Sequence, residues 1–340
     1  MKSKIEYYKR IVQMFYHYKK KSIILPYYPV RFWIEPTSYC NLRCIMCPNK
    51  ELKKEEKGYL DLELFKKIID EIKDFAFEIH LLHRGESLLH PDFFKMIRYA
   101  HEAGLTTKFH TNGTLLNEER SYQLIESGLD QFSFSFDGFD KETYEKIRIG
   151  GNFDKVVSNI IQFLEIKKKL KRKKPFTIIE LINFPEIYGR NAKEKRKKFL
   201  SKFKGLPLNR IDIREMHNWA GLVEKTQNSK LIIQKSKIKN QNSKNFSPCT
   251  FLWQALIIFW DGSVVPCTQD FHGYYTLGNV KDSSIKEIWN NEKMVNLRKK
   301  MINREIDDLE TCRDCDRLWR KKFLGIPKEY LWRFLLRRMP

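Results

Sequence analysis

Short apolar runs alternate with longer segments of helical periodicity from residue 30 onward. The runs are rich in β-branched and aromatic residues, as expected of buried strands. Strands are predicted at 31–35, 78–82, 106–110, 131–136, 176–182 and 210–215. Helices are predicted between them at 62–73, 92–103, 117–127, 153–171 and 191–202. This alternation predicts a parallel sheet with right-handed crossovers.

Six strand–helix units are two short of a full eight-stranded barrel. The pattern therefore predicts an α/β fold with an open, partial (β/α)6 barrel over 30–222, although spacing alone also allows a doubly wound sheet. Residues 223–245 are rich in Lys, Asn, Gln and Ser, which indicates a flexible linker or insertion. Residues 246–325 combine aromatic residues with cysteines, which indicates a small, metal-stapled domain.

Both ends of the chain carry basic amphipathic segments. Residues 1–29 contain a helical pattern that places Ile5, Tyr8, Val12 and Phe15 on one face. A second short basic helix is predicted at 326–340. This composition is typical of helices that lie on a membrane interface. Packing of the apolar faces on the barrel is the competing explanation, which we favour because amphipathic terminal helices usually complete a core.

The charge and hydropathy of the chain limit its location and partners. No apolar stretch is long enough for a transmembrane helix, and the N-terminus is too charged for a secretory signal peptide. We therefore expect a cytoplasmic protein, with membrane association through the basic ends as an open alternative. The net charge of +22 fits an anionic lipid, a phosphorylated substrate or a lysine-rich composition. The lysines are spread along the chain, so no specific nucleic acid is expected.

Three of the seven cysteines form the motif Cys40-x3-Cys44-x2-Cys47 directly after the first predicted strand. Ligands bind at this edge of α/β folds. Three thiolates can hold three irons of a 4Fe–4S cluster and leave the fourth iron open. A structural zinc site is the alternative. An odd number of cysteines in a reducing compartment argues against a disulfide framework.

The remaining cysteines are Cys249, Cys267, Cys312 and Cys315, with Gly262 between the first two. Taken alone, this set fits a four-cysteine zinc site as well as an iron–sulfur cluster.

The order of motifs over residues 30–220 resembles the radical SAM (S-adenosylmethionine) superfamily. After the three-cysteine motif, Gly85-Glu86 resembles the segment that holds the SAM amino group, with Arg84 in place of a commoner glycine. The resemblance implies further SAM contacts by Met46, Asn112, Ser135, Asp137 and Arg148. It also implies reductive cleavage of SAM to a 5′-deoxyadenosyl radical, which removes hydrogen from a substrate.

The second cysteine group resembles the SPASM/twitch extension of radical SAM enzymes, in a form with one auxiliary cluster. The resemblance implies that Cys249, Cys267, Cys312 and Cys315 ligate a second 4Fe–4S cluster, whose expected role is to accept an electron from the substrate radical. An electron donor such as flavodoxin or ferredoxin is the expected protein partner.

Candidate substrate residues are Glu180, Arg214, Glu215 and His217, on or just after the fifth and sixth predicted strands. His217 could act as a base, although such residues more often form ordinary ion pairs. The leading interpretation is oxidation of a small polar metabolite. A peptide-modifying maturase is the alternative, against which the short segment before the first strand argues. A zinc-stapled nucleic-acid-binding protein is the alternative from another class.

Overall fold

A nine-stranded sheet carries the fold in the computed structural model, which describes residues 4–184, 191–214, 216–222, 246–319, 322–323 and 326–327. Its first six strands are β1 (Arg31–Ile34), β2 (Glu78–Leu81), β3 (Thr106–Thr111), β4 (Gln131–Ser135), β5 (Phe176–Ile182) and β6 (Arg210–Arg214). They lie side by side in chain order, and each is parallel to the next. The predicted partial barrel is confirmed. The doubly wound alternative is wrong, because that arrangement reverses strand order at a switch point.

Helices connect the strands close to the predicted bounds. They are α1 (Lys4–Lys19), α2 (Leu62–Ile72), α3 (Phe93–Glu102), α4 (Glu118–Glu126), α5 (Lys141–Ile147), α6 (Phe153–Lys169) and α7 (Ala192–Ser201). Helix α5 was not predicted; it is a short helix that begins where the Asp140 side chain accepts a hydrogen bond from the Thr143 backbone N–H. Such a cap satisfies an otherwise unpaired backbone donor.

Alternating residues give the strands two different faces. The outer face is apolar, and Phe109 and Phe132 stack there with ring centres 4.9 Å apart. The inner face carries polar and charged side chains, such as Lys108, which forms an ion pair with Glu78 on the neighbouring strand. Buried charges of this kind are costly unless they are paired, so the interior of the barrel is a chemically specialised surface.

The cysteine-rich C-terminal part continues the same sheet. Strand β7 (Ala255–Ile258) is parallel to β1, and β8 (Ser263–Val265) and β9 (Gly278–Asn279) follow as antiparallel neighbours. The later elements are helices α8 (Ile285–Trp289), α9 (Glu292–Asn303) and α10 (Glu310–Arg313) and the strand pair β10 (Lys322–Phe323) and β11 (Ile326–Pro327). The segment expected to form a small domain is therefore joined to the barrel by strand pairing at the β1 edge.

Helix α1 packs on the rest of the protein through a face other than the predicted one. Ile11 and Met14 are buried, whereas Ile5 and Val12 are 67% and 65% exposed. The expectation that the Ile5–Val12 face packs on the barrel is wrong, because the helix has apolar residues on two faces and packs through the one that contains Ile11 and Met14. No helix in the described part of the chain is long and apolar enough to cross a membrane. The predicted linker at 223–245 and residues 328–340 of the predicted C-terminal helix lie outside the described residues.

Candidate active site

The loop after β1 carries the first three cysteines and is held by backbone hydrogen bonds. The Arg43 and Ile45 N–H groups donate to the carbonyls of Ile149 and Ile147, at 2.9 and 3.0 Å. Within the loop, the Cys47 N–H donates to the Cys44 carbonyl at 3.1 Å. The loop is therefore fixed against the segment that contains Arg148.

The three thiols lie close together in a buried environment. Burial, together with the neighbouring Cys44 and Cys40, raises the pKa of Cys47 to about 12. A thiolate here needs a cation beside it, which the irons of a cluster supply. Among the described residues, no three His, Cys, Asp or Glu side chains are placed to hold one shared metal ion. A 4Fe–4S cluster, in which each thiolate binds a different iron, does not require such a convergence.

Arg148 connects this loop to the end of β4. One guanidinium nitrogen lies 3.8 Å from the Cys44 Sγ, and another donates to the Asp137 Oδ2 at 2.6 Å. The Asp137 Oδ1 accepts from the Ile182 backbone N–H at 2.6 Å. The Arg148 Nε is buried and has no hydrogen-bond partner. A buried, unused cationic donor fits an anionic ligand group such as the carboxylate of SAM.

Glu86 ties the loops after β2 and β3 together. Its Oε1 accepts from the Thr111 hydroxyl and its Oε2 from the Asn112 backbone N–H, both at 2.7 Å. Its own backbone N–H donates to the Tyr39 carbonyl, next to Cys40. The carboxylate is only 3% exposed, so these bonds hold it at the three-cysteine loop.

Gly85 allows the closest approach between these loops. A Cβ at this position would lie 2.2 Å from the Thr37 carbonyl oxygen and 2.5 Å from that of Tyr39. These are backbone atoms, so a side chain would force the loops apart. The glycine therefore sets the spacing between the three-cysteine loop and Glu86.

The other residues expected to contact SAM are distributed around the same edge. The Asn112 Nδ2 donates to the Asn41 Oδ1 at 2.8 Å, beside Cys40. Met46 is buried in the core. Ser135 ends β4 and is half-buried opposite Glu180 in the sheet register.

Arg84, the departure from the commoner glycine, forms a buried ion pair that the sequence analysis missed. Its Nε and one terminal nitrogen donate to the two carboxylate oxygens of Glu35 at 2.8 and 3.0 Å. The guanidinium lies 3.7 Å from the ring centre of Phe259 and also donates to the Phe271 carbonyl at 3.3 Å. Arg84 thus joins the ends of β1 and β2 to the C-terminal part of the chain.

A second polar cluster lines the barrel interior around Glu180. The Glu180 Oε1 accepts from Arg214 at 2.6 Å and from the Ser133 hydroxyl at 3.2 Å, and the His110 Nδ1 lies 3.5 Å from Oε2. Burial opposes ionisation of Glu180, but His110 and Arg214 outweigh it and hold its pKa below the usual value. Burial lowers the pKa of His110, against the opposing effect of Glu180. An ionised carboxylate therefore faces an imidazole that is neutral near pH 7.

The structure separates the candidate substrate residues into two places. It brings Glu180 and Arg214 together, whereas the His217 Nδ1 lies 3.7 Å from the Asp316 Oδ2, next to Cys315. Glu215 lies outside the described residues. His110 and Ser133 were not selected, although both stand at alternating polar positions of predicted strands, a signal that indicates one shared face.

The four later cysteines also come together. Burial raises the pKa of Cys312 well above its usual value, and Cys267, Cys315 and Cys249 raise it further, so the four thiols lie within electrostatic reach of each other. Asp270 joins their loops, because its backbone N–H donates to the Cys267 carbonyl and its side chain accepts from Thr311. Four thiols in one place fit a cluster whose irons are all ligated by protein.

The second cysteine group faces the barrel interior. Cys267 is part of a buried apolar group with Ala255 and Ile257 of β7. Cys249 packs against that group, and so does Trp33, which lies on β1. The Trp33 ring stacks on His80 of β2, with centres 4.3 Å apart and an interplanar angle of 11°. The second cysteine group therefore borders the strand face that also carries Glu180.

Comparison with known families agrees with this arrangement. Residues 34–179 match the radical SAM superfamily, and residues 249–316 match SPASM, an iron–sulfur cluster-binding domain. The chain is therefore a radical SAM enzyme with a C-terminal SPASM domain. The two domains imply 4Fe–4S clusters, and SAM is the associated cofactor.

Known relatives cover most of the chain. A tungsten-containing aldehyde ferredoxin oxidoreductase cofactor-modifying protein of Pyrococcus furiosus is 28% identical over 77% of this chain and 81% of its own length. The SAM-dependent 2-deoxy-scyllo-inosamine dehydrogenase of Niallia circulans is 23% identical over 83% of this chain and 91% of its own. The structure of Streptococcus suis SuiB bound to the precursor peptide SuiA covers 87% of this chain and 72% of its own, with 15% identity and a TM-score of 0.62.

Proposed function

We propose that this radical SAM enzyme oxidises a small polar metabolite and that its auxiliary cluster accepts the electron. The observation that carries this proposal is the paired Glu180–His110 cluster inside a barrel whose interior the second cysteine group also borders. Oxidation of an alcohol to a carbonyl removes one hydrogen atom, one proton and one electron. The Glu180–His110 pair is available to take the proton, and the auxiliary cluster is available to take the electron.

The residues around the first loop are assigned to the cofactor. Cys40, Cys44 and Cys47 would hold the 4Fe–4S cluster to which SAM binds. Contacts to SAM are assigned to Met46, Gly85, Glu86, Asn112, Ser135, Asp137 and Arg148. Bound there, the cluster and SAM would supply the radical chemistry for hydrogen abstraction from the substrate, and a cluster on Cys249, Cys267, Cys312 and Cys315 would supply the electron acceptor. A flavodoxin or ferredoxin is the proposed donor of the first electron.

The substrate itself meets His110, Glu180 and Arg214. The neutral imidazole of His110 is suited to take a proton from the substrate hydroxyl, and the Glu180 carboxylate stabilises the imidazolium that results. The Arg214 side chain is 38% exposed, so part of it is available to hold an anionic or hydroxyl group of the substrate.

A peptide-modifying maturase is the second candidate, supported by the fold shared with SuiB. The similarity to a dehydrogenase over 91% of that protein's length supports the small-metabolite assignment. The two proposals are distinguished by adding anaerobic cell extract to the enzyme and measuring 5′-deoxyadenosine formation before and after protease digestion of the extract. Stimulation that survives protease digestion supports a metabolite, and stimulation that protease destroys supports a peptide.

The proton-transfer role is tested with His110→Gln. We expect substrate turnover to fall roughly a hundredfold or more, while 5′-deoxyadenosine continues to form without matching product. The matched control is His101→Gln, which removes an exposed imidazole on helix α3. Equal product yield per 5′-deoxyadenosine in His110→Gln and wild type would exclude this role.

A further inference from the structure

Helix α1 presents an apolar stripe to solvent along its outward side. The stripe consists of Ile5, Tyr8, Val12, Phe15 and Tyr16, which are between 36% and 67% exposed. Their spacing of three and four residues places them on one face. A different face of the helix packs on the rest of the protein, because Ile11 and Met14 are buried there. Contiguous exposed apolar surface of this kind marks an interaction site.

Positive charge surrounds this stripe. The first 21 residues contain six lysines and one arginine, and Glu6 is their one acidic residue. Lys9, Lys19 and Lys20 are exposed. Helical spacing places Lys9 and Lys20 beside the stripe, and the Lys20 ammonium lies 5.7 Å from the ring centre of Tyr16.

We propose that the outward face of α1 docks the enzyme on an anionic lipid bilayer. The helix would lie parallel to the membrane, with Ile5 and Val12 in the acyl boundary, aromatic rings at the headgroup level and lysines near the phosphates. A lysine near an anionic leaflet strengthens binding about fivefold, so several lysines and two inserted aliphatic side chains together give measurable attachment.

The charge distribution favours lipid over a second copy of the chain. In a twofold dimer, the same face meets itself. The lysines that flank the stripe on one copy would then face those on the other, and like charges across an interface disfavour association. An anionic bilayer complements both the apolar stripe and the charges beside it.

The test is co-sedimentation of cluster-loaded, full-length enzyme with vesicles. The vesicles contain phosphatidylcholine alone or about three parts of it to one part phosphatidylserine, at low and moderate salt. We expect binding to the anionic vesicles that weakens with salt. Ile5→Ser/Val12→Ser should weaken it at least about tenfold, and Lys9→Gln/Lys20→Gln by about twentyfold. Phe176→Ser, which removes a 37% exposed aromatic residue at the start of β5, is the control and should bind like wild type.

Two results would overturn the proposal. The first is wild-type enzyme that stays in the supernatant with anionic vesicles at low salt. The second is equal binding of wild type and Ile5→Ser/Val12→Ser, which would assign attraction to net charge alone. Cleavage of SAM at the wild-type rate shows that the double variant is folded. If wild type does not bind vesicles but is a dimer, and Ile5→Ser/Val12→Ser is a monomer, the stripe is a self-association surface.

Discussion

Arg84→Met should destabilise the enzyme because it leaves the buried Glu35 carboxylate without its cation. Glu35 is fully buried, and Arg84 is 5% exposed. Two charge-assisted hydrogen bonds connect them. The substitution keeps an apolar side chain against Phe259 but removes the cation, so the carboxylate loses its counter-charge inside the protein.

The expected cost is about 3–5 kcal/mol, which is typical when one member of a buried ion pair is removed. A chain of this length unfolds with an entropy of roughly 0.7 kcal/mol/K, so the melting temperature should fall by about 4–7 °C. Glu35→Gln/Arg84→Met leaves no charge behind and should recover most of this loss. The double variant therefore distinguishes the orphaned carboxylate from lost packing around the guanidinium.

The pH dependence gives an independent readout. Burial raises the pKa of Glu35, and Arg84 opposes that rise. Without Arg84 the pKa should rise further, so protonated Glu35 is tolerated at low pH and the deficit grows as the pH increases. Thermal unfolding of cluster-loaded protein under anaerobic conditions, at about pH 5 and pH 8, measures both effects. A loss below about 1 kcal/mol, or a double variant as unstable as Arg84→Met, would refute the reasoning.

Three further substitutions test other parts of the structure. Gly85→Ala should weaken SAM binding at least about tenfold, because its Cβ would lie 2.2 Å from the Thr37 carbonyl oxygen; wild-type affinity in anaerobic calorimetry would contradict this. Cys44→Ala should abolish 5′-deoxyadenosine formation, whereas Cys312→Ala should retain some and lose substrate turnover. Lys167 is 1% exposed, and burial lowers its pKa to about 8. The free energy of unfolding of wild type should therefore rise by roughly 2 kcal/mol relative to that of Lys167→Met as pH rises from about 8 to about 10. An unchanged stability difference between the two proteins across this range would exclude that effect.

The barrel could be predicted because apolar residues recur at different intervals in its strands and in its helices. Buried parallel strands are short apolar runs, and the observed strands begin at the predicted residues, as at 31, 78 and 176. The spacing Cys40-x3-Cys44-x2-Cys47 indicated the first cluster for a related reason, since three thiolates on one short loop can bind the irons of one cluster. The apolar pattern and the cysteine spacing are both local in sequence, so they can be recognised without knowledge of the fold.

The residues that were missed depend on which face a side chain occupies. Helix α1 is apolar on both sides, so its period could not show whether Val12 or Ile11 would be buried. His110 belongs to no recognisable motif, so only the face of β3 that it occupies indicates its place in the barrel. The polar alternation of Lys108 and His110 along β3 would have placed both inside the barrel.

The joining of β7 to β1 explains why an unusual arginine can be accommodated in the segment after β2, for which SAM binding is proposed. An arginine in place of glycine after β2 must bury a large cation, which needs a carboxylate and a stacking surface. Glu35 supplies the first from the end of β1, and Phe259 supplies the second from the end of β7. These two residues are neighbours because the two strands are paired. Arg84 therefore requires the C-terminal part to remain attached to the barrel, and we expect removal of residues 246–340 to disturb the SAM site as well as the auxiliary cluster.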